Sequence, residues 1–395
     1  MDLSYGPEYE SFREEVRAFL KAHEGEAPSA SLNAAEDSPE IRAWQKVLIE
    51  NGYAARTVPR EYGGFGAEPD LLQTVIIDEE FATASVSSGM ENQGISMFVP
   101  TLLSYGSDAQ KKDWVAPTIR GEMIWCQGYS EPNAGSDLAS LRTSAVLEGD
   151  EFVVNGQKIW TSDAHHADMM FALVRTEPDA PKHAGISYLA LGMDSAGLDV
   201  RPLKTMVGTS SFNEVFFDSV RVPRANLIGK RGQGWEVGTT TLFHERNMLG
   251  RSNHTENLLR HCTDVMRDVG VIDNPVWRDR LMALQARVVA MKYHGLRLLT
   301  DNLKRRGSGV AGLITKLNGC QLNHDVCALA IDAMSEQGVL RKGSKYARDE
   351  GIWQGQYMFS LGLIIGGGTA QIQKNIISER GLGMPREPKP APREG

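Results

Sequence analysis

The sequence predicts an α+β chain of three blocks, helical, then all-β, then helical again. Three observations carry that prediction. Apolar residues recur at spacings of three and four up to about residue 120, the period of a helix with one buried face. From about 121 to 230 they give way to short β-branched and aromatic runs broken by proline and glycine. From about 231 the helical spacing returns and holds to about 385, with no internal repeat. A doubly wound dinucleotide fold would alternate strand and helix instead.

In the first block Tyr9, Phe12, Val16 and Phe19 form one stripe, and Ile41, Trp44 and Leu48 another. Pro59 and the run Tyr62-Gly63-Gly64-Phe65-Gly66 interrupt it, 71–83 resumes a helix, and Asp108 is the expected cap of a further helix after Tyr105-Gly106. In the middle block the runs 151–154 and 157–160 flank Asn155-Gly156, the strongest short signal for a hairpin on a type I′ turn. Further strands are expected over 169–175, 185–193, 198–203 and 212–222. In the last block Leu281, Leu284, Val288, Met291 and Leu298 make one apolar stripe. Leu313, Leu317, Cys320, Val326, Ala330 and Met334 make a second, less regular one. Four prolines from Pro385 onward leave the end without periodicity, so a loose tail is expected. The domain reading is 1–120, 121–230, 231–385 and a tail at 386–395.

Composition narrows the function. At 395 residues, 41% hydrophobic and 23% charged, the chain matches an ordinary globular protein, which excludes disorder as a description of the whole. Lys and Arg number 42 against 50 Asp and Glu, net −8, with no basic cluster, so no nucleic-acid footprint is present. Cys126, Cys262, Cys320 and Cys327 form no CxxC pair and have no His at metal spacing; neither a disulfide framework nor a metal site is expected. The start, MDLSYGPEYESFREEVRAFL, lacks the basic and apolar run of a signal peptide, and no segment approaches the ~18 apolar residues of a membrane span. A cytoplasmic enzyme is the expectation, with 40 glycines suggesting tight turns or backbone lying close to a ligand.

Several chemistries drop out by motif. Gly128-Tyr129-Ser130 lacks the closing glycine of a nucleophile elbow, no phosphate loop of the G-x-x-x-x-G-K type occurs, and His244-Glu245 has Met248 where a zinc-protease helix needs its second His. His165-His166, being adjacent, cannot both ligate one metal from a strand. Three segments remain. Residues 126–137, CQGYSEPNAGSD, place small and hydroxyl residues around a proline and two glycines; the run is either a polar turn or a rigid loop facing an acceptor-rich ligand. Lys158-Ile159-Trp160-Thr161-Ser162 sets an indole beside two hydroxyls; it is either core or the wall of a flat aromatic cofactor. Gly366-Gly367-Gly368-Thr369 opens a helix, whose first N–H groups lack intrahelical partners.

In this order and frame the three segments resemble the acyl-CoA dehydrogenase family. The resemblance covers nearly the whole chain, including Arg60-Glu61-Tyr62-Gly63-Gly64, Phe212-Asn213-Glu214-Val215-Phe216-Phe217-Asp218 and the ending Ile376-Ile377-Ser378-Glu379-Arg380-Gly381-Leu382-Gly383. It implies a β-barrel-like middle domain, a four-helix bundle at the C-terminus, and FAD as cofactor. It also implies oxidation of an acyl-CoA thioester to the trans-2-enoyl-CoA: a glutamate takes the α proton while a hydride leaves the β carbon for the flavin. By position, Gln127, Tyr129 and Ser130 match residues along the flavin edge, and Ser136 one that meets the cofactor phosphates or the pantetheine. Trp160 and Ser162 match the ring-packing indole and a hydroxyl near the ring nitrogen, and Thr369 and Gln371 match C-terminal contacts to FAD.

The base is carried over less directly. Many members hold it two residues before the threonine of the glycine turn, which here is Gly367, a residue that cannot take a proton. A subset resembling isovaleryl- and long-chain-acyl-CoA dehydrogenases takes it from the first long helix after the β domain, immediately before an Arg, and Glu245-Arg246 matches. Arg246 would then help bind acyl-CoA, and Gly367 N–H would donate to the thioester oxygen, a ribityl hydroxyl of FAD being the other donor. The family's R-x-x-F-G loop is missing, with Val269-Gly270-Val271-Ile272-Asp273-Asn274-Pro275 in its region, and a second glycine-rich loop is reduced to Glu336-Gln337-Gly338. The wording resembles bacterial members acting on dicarboxylic, terpenoid or sterol side-chain CoA esters. The implied partners are an electron-transfer flavoprotein and either three further copies or a sister subunit in a heterotetramer. The alternatives are a flavin oxidase or monooxygenase of the same fold, or a partner subunit of a heteromer.

Overall fold

Prolines and capping side chains start the helices of the first block. The computed structural model describes residues 5–30, 38–248, 252–304, 311–386 and 388, without the side chains of 245–248, 252–253 and 302–303; the tail read at 386–395 thus falls almost wholly outside the described residues. Helix α1 (Pro7–Ala22) opens on a proline. Helix α2 (Pro39–Glu50) adds a Ser38 hydroxyl that accepts from Ile41 N–H. The Asp70 carboxylate caps α3 (Leu71–Ala84) by accepting from the N–H groups of Leu72 and Gln73. After α4 (Val99–Tyr105), helix α5 (Asp108–Ile119) begins on a reciprocal pair: Gln110 N–H donates to the Ser107 hydroxyl and Ser107 N–H to the Gln110 side chain. The cap is therefore Ser107, and Asp108, expected as the cap, is the first helical residue; a hydroxyl with Gln three positions on closes the box. Val16, Leu20, Trp44, Leu48, Ile76 and Phe81 form the core that α1, α2 and α3 share.

The middle block is one eight-stranded sheet. Its strands are β1 (Trp125–Gly128), β2 (Ser144–Glu148), β3 (Glu151–Ser162), β4 (Met169–Arg175), β5 (Ile186–Gly192), β6 (Leu198–Leu203), β7 (Phe212–Pro223) and β8 (Leu227–Ile228). They run in the order β6-β7-β3-β2-β4-β5-β8, with β1 parallel to β4. The expected hairpin at Asn155-Gly156 is not there. Strand β3 runs straight through, and its register against β7 slips between Val154 and Gly156. The turn that joins β2 to β3 is Gly149-Asp150, with Gly149 at φ +63°. A glycine free to adopt positive φ serves a bulge as readily as a turn. Here Ser219 N–H donates to Asn155 Oδ1 at 2.8 Å, and a Cβ on Gly156 would come within 2.6 Å of Thr143 Oγ1.

Aromatic stacking seats the helices on the sheet. The Phe98 ring lies 3.8 Å from Trp125 and 5.6 Å from Phe171, centroid to centroid, and Gln110 Nε2 donates to the carbonyls of Ala225 and Leu227. Helix α6 (Gly234–Met248) follows the sheet, its Thr241 hydroxyl bonded to those of Thr101 and Tyr188 at 3.0 and 3.2 Å. Contacts divide the chain into two units, Met1–Glu245 and Arg246–Gly395.

The second unit contains α7 (Ser252–Asp268), α8 (Pro275–Leu303), α9 (Ala311–Met334), α10 (Ile352–Ile365) and α11 (Ala370–Ile376). Four of these helices, α7 to α10, share one core that includes Leu258, Met266, Leu284, Val288, Val326 and Trp353. All four cysteines are free and buried, Cys327 within this core. No described helix is long and apolar enough to cross a membrane, and the described residues hold no cluster of potential metal ligands.

Candidate functional site

The loop that leaves β1 is braced from inside. Lys158, fully buried on β3, donates through Nζ to Tyr129 O at 3.1 Å and to Glu131 Oε1 at 2.9 Å. Glu131 also accepts from the N–H groups of Arg142 and Thr143, at 2.6 and 2.8 Å. Burial alone would raise the Glu131 carboxyl; the Lys158 charge and these hydrogen bonds outweigh it and hold the group below the usual carboxylate range. Burial pulls the Lys158 ammonium down to about 8 against the attraction of Glu131, which leaves it protonated at neutral pH. A backbone bond from Ile159 N–H to Ser130 O, 2.9 Å, ties the loop to the strand.

That strand then bulges. The β3–β7 register slips again between Lys158 and Thr161, and Asn213 Nδ2 fills the gap by donating to Thr161 O at 2.9 Å. Between them Trp160 stands at φ +61° with 59% of its surface exposed, edge-on to Phe212. An indole is a large apolar surface to leave in water, and left-handed backbone is uncommon for a bulky residue. Bulges re-aim side chains, and strained residues concentrate at ligand sites. Thr161 Oγ1, in the next residue of β3, and Gln127 Nε2, on β1, are buried polar atoms with no hydrogen-bond partner among the described residues. An exposed flat wall, with unpaired polar groups on the same strand and on β1, fits a planar ligand rich in hydrogen-bonding atoms, the character of an isoalloxazine ring.

The expected residues of the first unit differ in exposure. Gln127 and Ser130 are half-buried where the loop leaves the sheet, and Ser162 is half-buried at the end of β3. The Tyr129 ring is buried, edge-on to Phe171 and Tyr188, so its side chain belongs to the core and its carbonyl is taken by Lys158. Ser136 is exposed further along the loop, beside Asp137, whose carboxylate takes Lys182 at 2.7 Å. His165 and His166 are exposed, as ordinary surface histidines would be. The sequence reading missed roles for Lys158 and Glu131. A charged residue inside each of two otherwise small or apolar motifs was the available signal.

In the second unit Gly367 and Gly368 take φ of +61° and +95°, and the Thr369 hydroxyl caps α11 by accepting from Ile372 N–H at 3.2 Å. Gln371 is exposed on the first turn, and a pocket of about 210 Å³ opens beside it, lined by Leu317, Cys320, Ile364, Ala370 and Lys374 among others. Val269, Val271 and Ile272 turn toward the helical core, and a Cβ on Gly338 would meet Ile331 O at 2.4 Å, so packing explains both segments. Glu245 and Arg246 sit on α6; their side chains lie outside the described residues.

Three family models match in sequence order: the acyl-CoA dehydrogenase N-terminal domain over 6–122, its middle domain over 126–220 and its C-terminal domain over 232–382. Acyl-CoA dehydrogenase IpdE1 of Mycobacterium tuberculosis is 36% identical over 392 residues, 96% of this chain and 99% of its own. The chain belongs to the acyl-CoA dehydrogenase family. Among solved members, the Tcur3481-Tcur3483 steroid ACAD superposes with a TM-score of 0.82 at 29% identity, covering 98% of this chain and 100% of that one. The ChsE4-ChsE5 complex from Mycobacterium tuberculosis gives 0.81 at 31%, with the same coverage. As an acyl-CoA dehydrogenase the protein is an oxidoreductase, and its three blocks are the helical, β and helical domains of that fold.

Proposed function

We propose that this acyl-CoA dehydrogenase binds FAD and desaturates, between the α and β carbons, an acyl-CoA whose acyl group is the side chain of a steroid. Trp160 carries the cofactor reading: an exposed indole on a strained bulge offers a flat wall to a planar ring, and Gln127 Nε2 on β1 is a buried donor without a partner among the described residues. Gln127, Ser130 and Ser162 offer hydrogen bonds around that ring and Tyr129 backs it from the core, while Ser136, Thr369 and Gln371 serve the rest of the cofactor. Bound FAD supplies the acceptor for the β hydride. Glu245 takes the α proton, Arg246 holds the acyl-CoA, and Gly367 N–H donates to the thioester oxygen, where negative charge develops as the proton leaves. The steroid class rests on the named specificity of the Tcur3481-Tcur3483 neighbour. Electrons pass on to an electron-transfer flavoprotein, in the cytoplasm. The functional domains are 1–120, 121–230 and 231–385.

The same reading extends to assembly as a heterotetramer with a sister subunit. Both structural neighbours carry paired names, the R-x-x-F-G loop is missing, and α8 exposes Met282, Val289 and Tyr293 in one stripe away from its core. Anaerobic addition of acyl-CoAs to the purified flavoprotein, alone and co-expressed with a sister chain, tests both points. Bleaching by steroid side-chain CoA esters and not by straight-chain esters is expected. Bleaching by straight-chain esters alone would overturn the substrate class, and a fully active homotetramer with one FAD per chain would overturn the heteromer.

A further inference from the structure

The glycine turn between α10 and α11 is held from outside by two buried side chains. Lys316, on α9, is 1% exposed, and its Nζ donates to Ile364 O at 3.0 Å and to Gly368 O at 2.7 Å. Ile364 O is one of the carbonyls that the end of α10 leaves without an intrahelical donor, where a cation is favoured. Gln373, also 1% exposed, donates through Nε2 to Gly367 O at 3.2 Å. The end of α10 closes with Gly366 N–H donating to Gly362 O at 2.8 Å.

Peptide by peptide, these bonds leave a single gap. Lys316 fixes the 364–365 peptide, the helix end fixes 365–366, Gln373 fixes 367–368, and Lys316 fixes 368–369. The 366–367 peptide lies between them, tied neither at Gly366 O nor at Gly367 N–H among the described residues. Gly367 and Gly368 at positive φ turn the chain there, a conformation that side-chain-bearing residues rarely adopt. A backbone clamped on both sides of one free N–H is a preorganised donor, because no reorganisation is needed when charge develops on its acceptor.

We propose that Lys316 is a positioning residue which, with Gln373, aims Gly367 N–H at the thioester oxygen of the acyl-CoA. The proposal rests on the dehydrogenase reading above. The test is Lys316→Met, which keeps an unbranched apolar stem and loses the ammonium with its three donors, studied as FAD-loaded enzyme in its native assembly. Three readouts are needed: FAD content, the rate and half-saturation of flavin reduction by substrate, and the carbonyl stretch of bound enoyl-CoA labelled with ¹³C at the thioester. The expected result is normal FAD content, a half-saturation within about threefold, and reduction slower by about 10²-fold, the scale for losing or misplacing one such donor. The carbonyl stretch, lowered in wild type by polarisation, should move back toward that of free enoyl-CoA.

Gln373→Leu removes only the bond to Gly367 O, together with an amide oxygen that has no partner, and should show the same signature more weakly. It decides alone if Lys316→Met does not fold. Wild type that no acyl-CoA bleaches would overturn the dehydrogenase reading and this proposal with it. Wild type that bleaches while the folded variants keep both the reduction rate and the lowered carbonyl stretch would overturn this proposal alone.

Discussion

Lys158 and Glu131 face each other at 2.9 Å inside the first unit, both buried, with the Tyr129 carbonyl and the N–H groups of Arg142 and Thr143 bonded to the pair. A buried ion pair contributes little net stability against an apolar replacement, yet removing one partner leaves an uncompensated charge in a dry site. Lys158→Met should therefore destabilise the first unit by about 3–5 kcal/mol and lower FAD retention, while Lys158→Met combined with Glu131→Gln should recover part of the loss. Denaturant unfolding followed by flavin fluorescence measures both. Equal stability of the single and double variants would refute the coupling.

The same pair sets an acid limit. Glu131 is held below its unfolded value, so its contribution is fully present above the unfolded carboxyl range, near pH 4.3, and is lost as pH falls through the folded value. Removing Lys158 deletes the largest opposing influence and leaves burial to raise the carboxyl. FAD release on acidification should begin at higher pH in Lys158→Met than in wild type. Superimposable release profiles would show that Lys158 does not set it.

Trp160 separates a ligand wall from a core residue. With 59% of its surface exposed, Trp160→Ala should change the stability of the FAD-free protein by no more than about 0.5 kcal/mol. FAD affinity should fall by about tenfold, the scale of one aromatic stacking contact. Fluorescence titration with FAD and thermal unfolding give the two numbers. A large loss of stability with unchanged affinity would place the indole in the fold and not at the cofactor.

Phe98 gives the opposite pattern. It is fully buried between Trp125 and Phe171, and Phe98→Ala opens a cavity where the helices meet the sheet. A loss of about 3–5 kcal/mol is expected by urea unfolding, with the FAD affinity of the remaining folded protein close to wild type.

Glu245→Gln keeps the shape of the proposed base and removes its ability to accept a proton. Flavin reduction by substrate should slow by at least ~10²-fold, the scale of general-base catalysis. FAD content and CoA-ester affinity should hold. Reduction at the wild-type rate would send the search to other carboxylates.

The sequence by itself determined the family, the order of helical and β blocks, and most helix and strand positions, because each is written in local periodicity or in contiguous motifs. It placed β4 and β6 correctly to the residue and singled out the loop leaving β1 and the end of β3, on which the proposed cofactor site rests. Tertiary structure decided the rest. Asn155-Gly156 reads locally as a turn and becomes a bulge because β3 finds β7 on its other edge. Trp160 reads locally as either core or a cofactor wall, and it stands exposed because a register slip two residues from Lys158 turns it outward. Lys158 meets a carboxylate 27 positions away, and Lys316 a carbonyl 52 positions away. Pairings at that separation depend on how whole elements pack, and a side chain's neighbours along the chain hold no record of them.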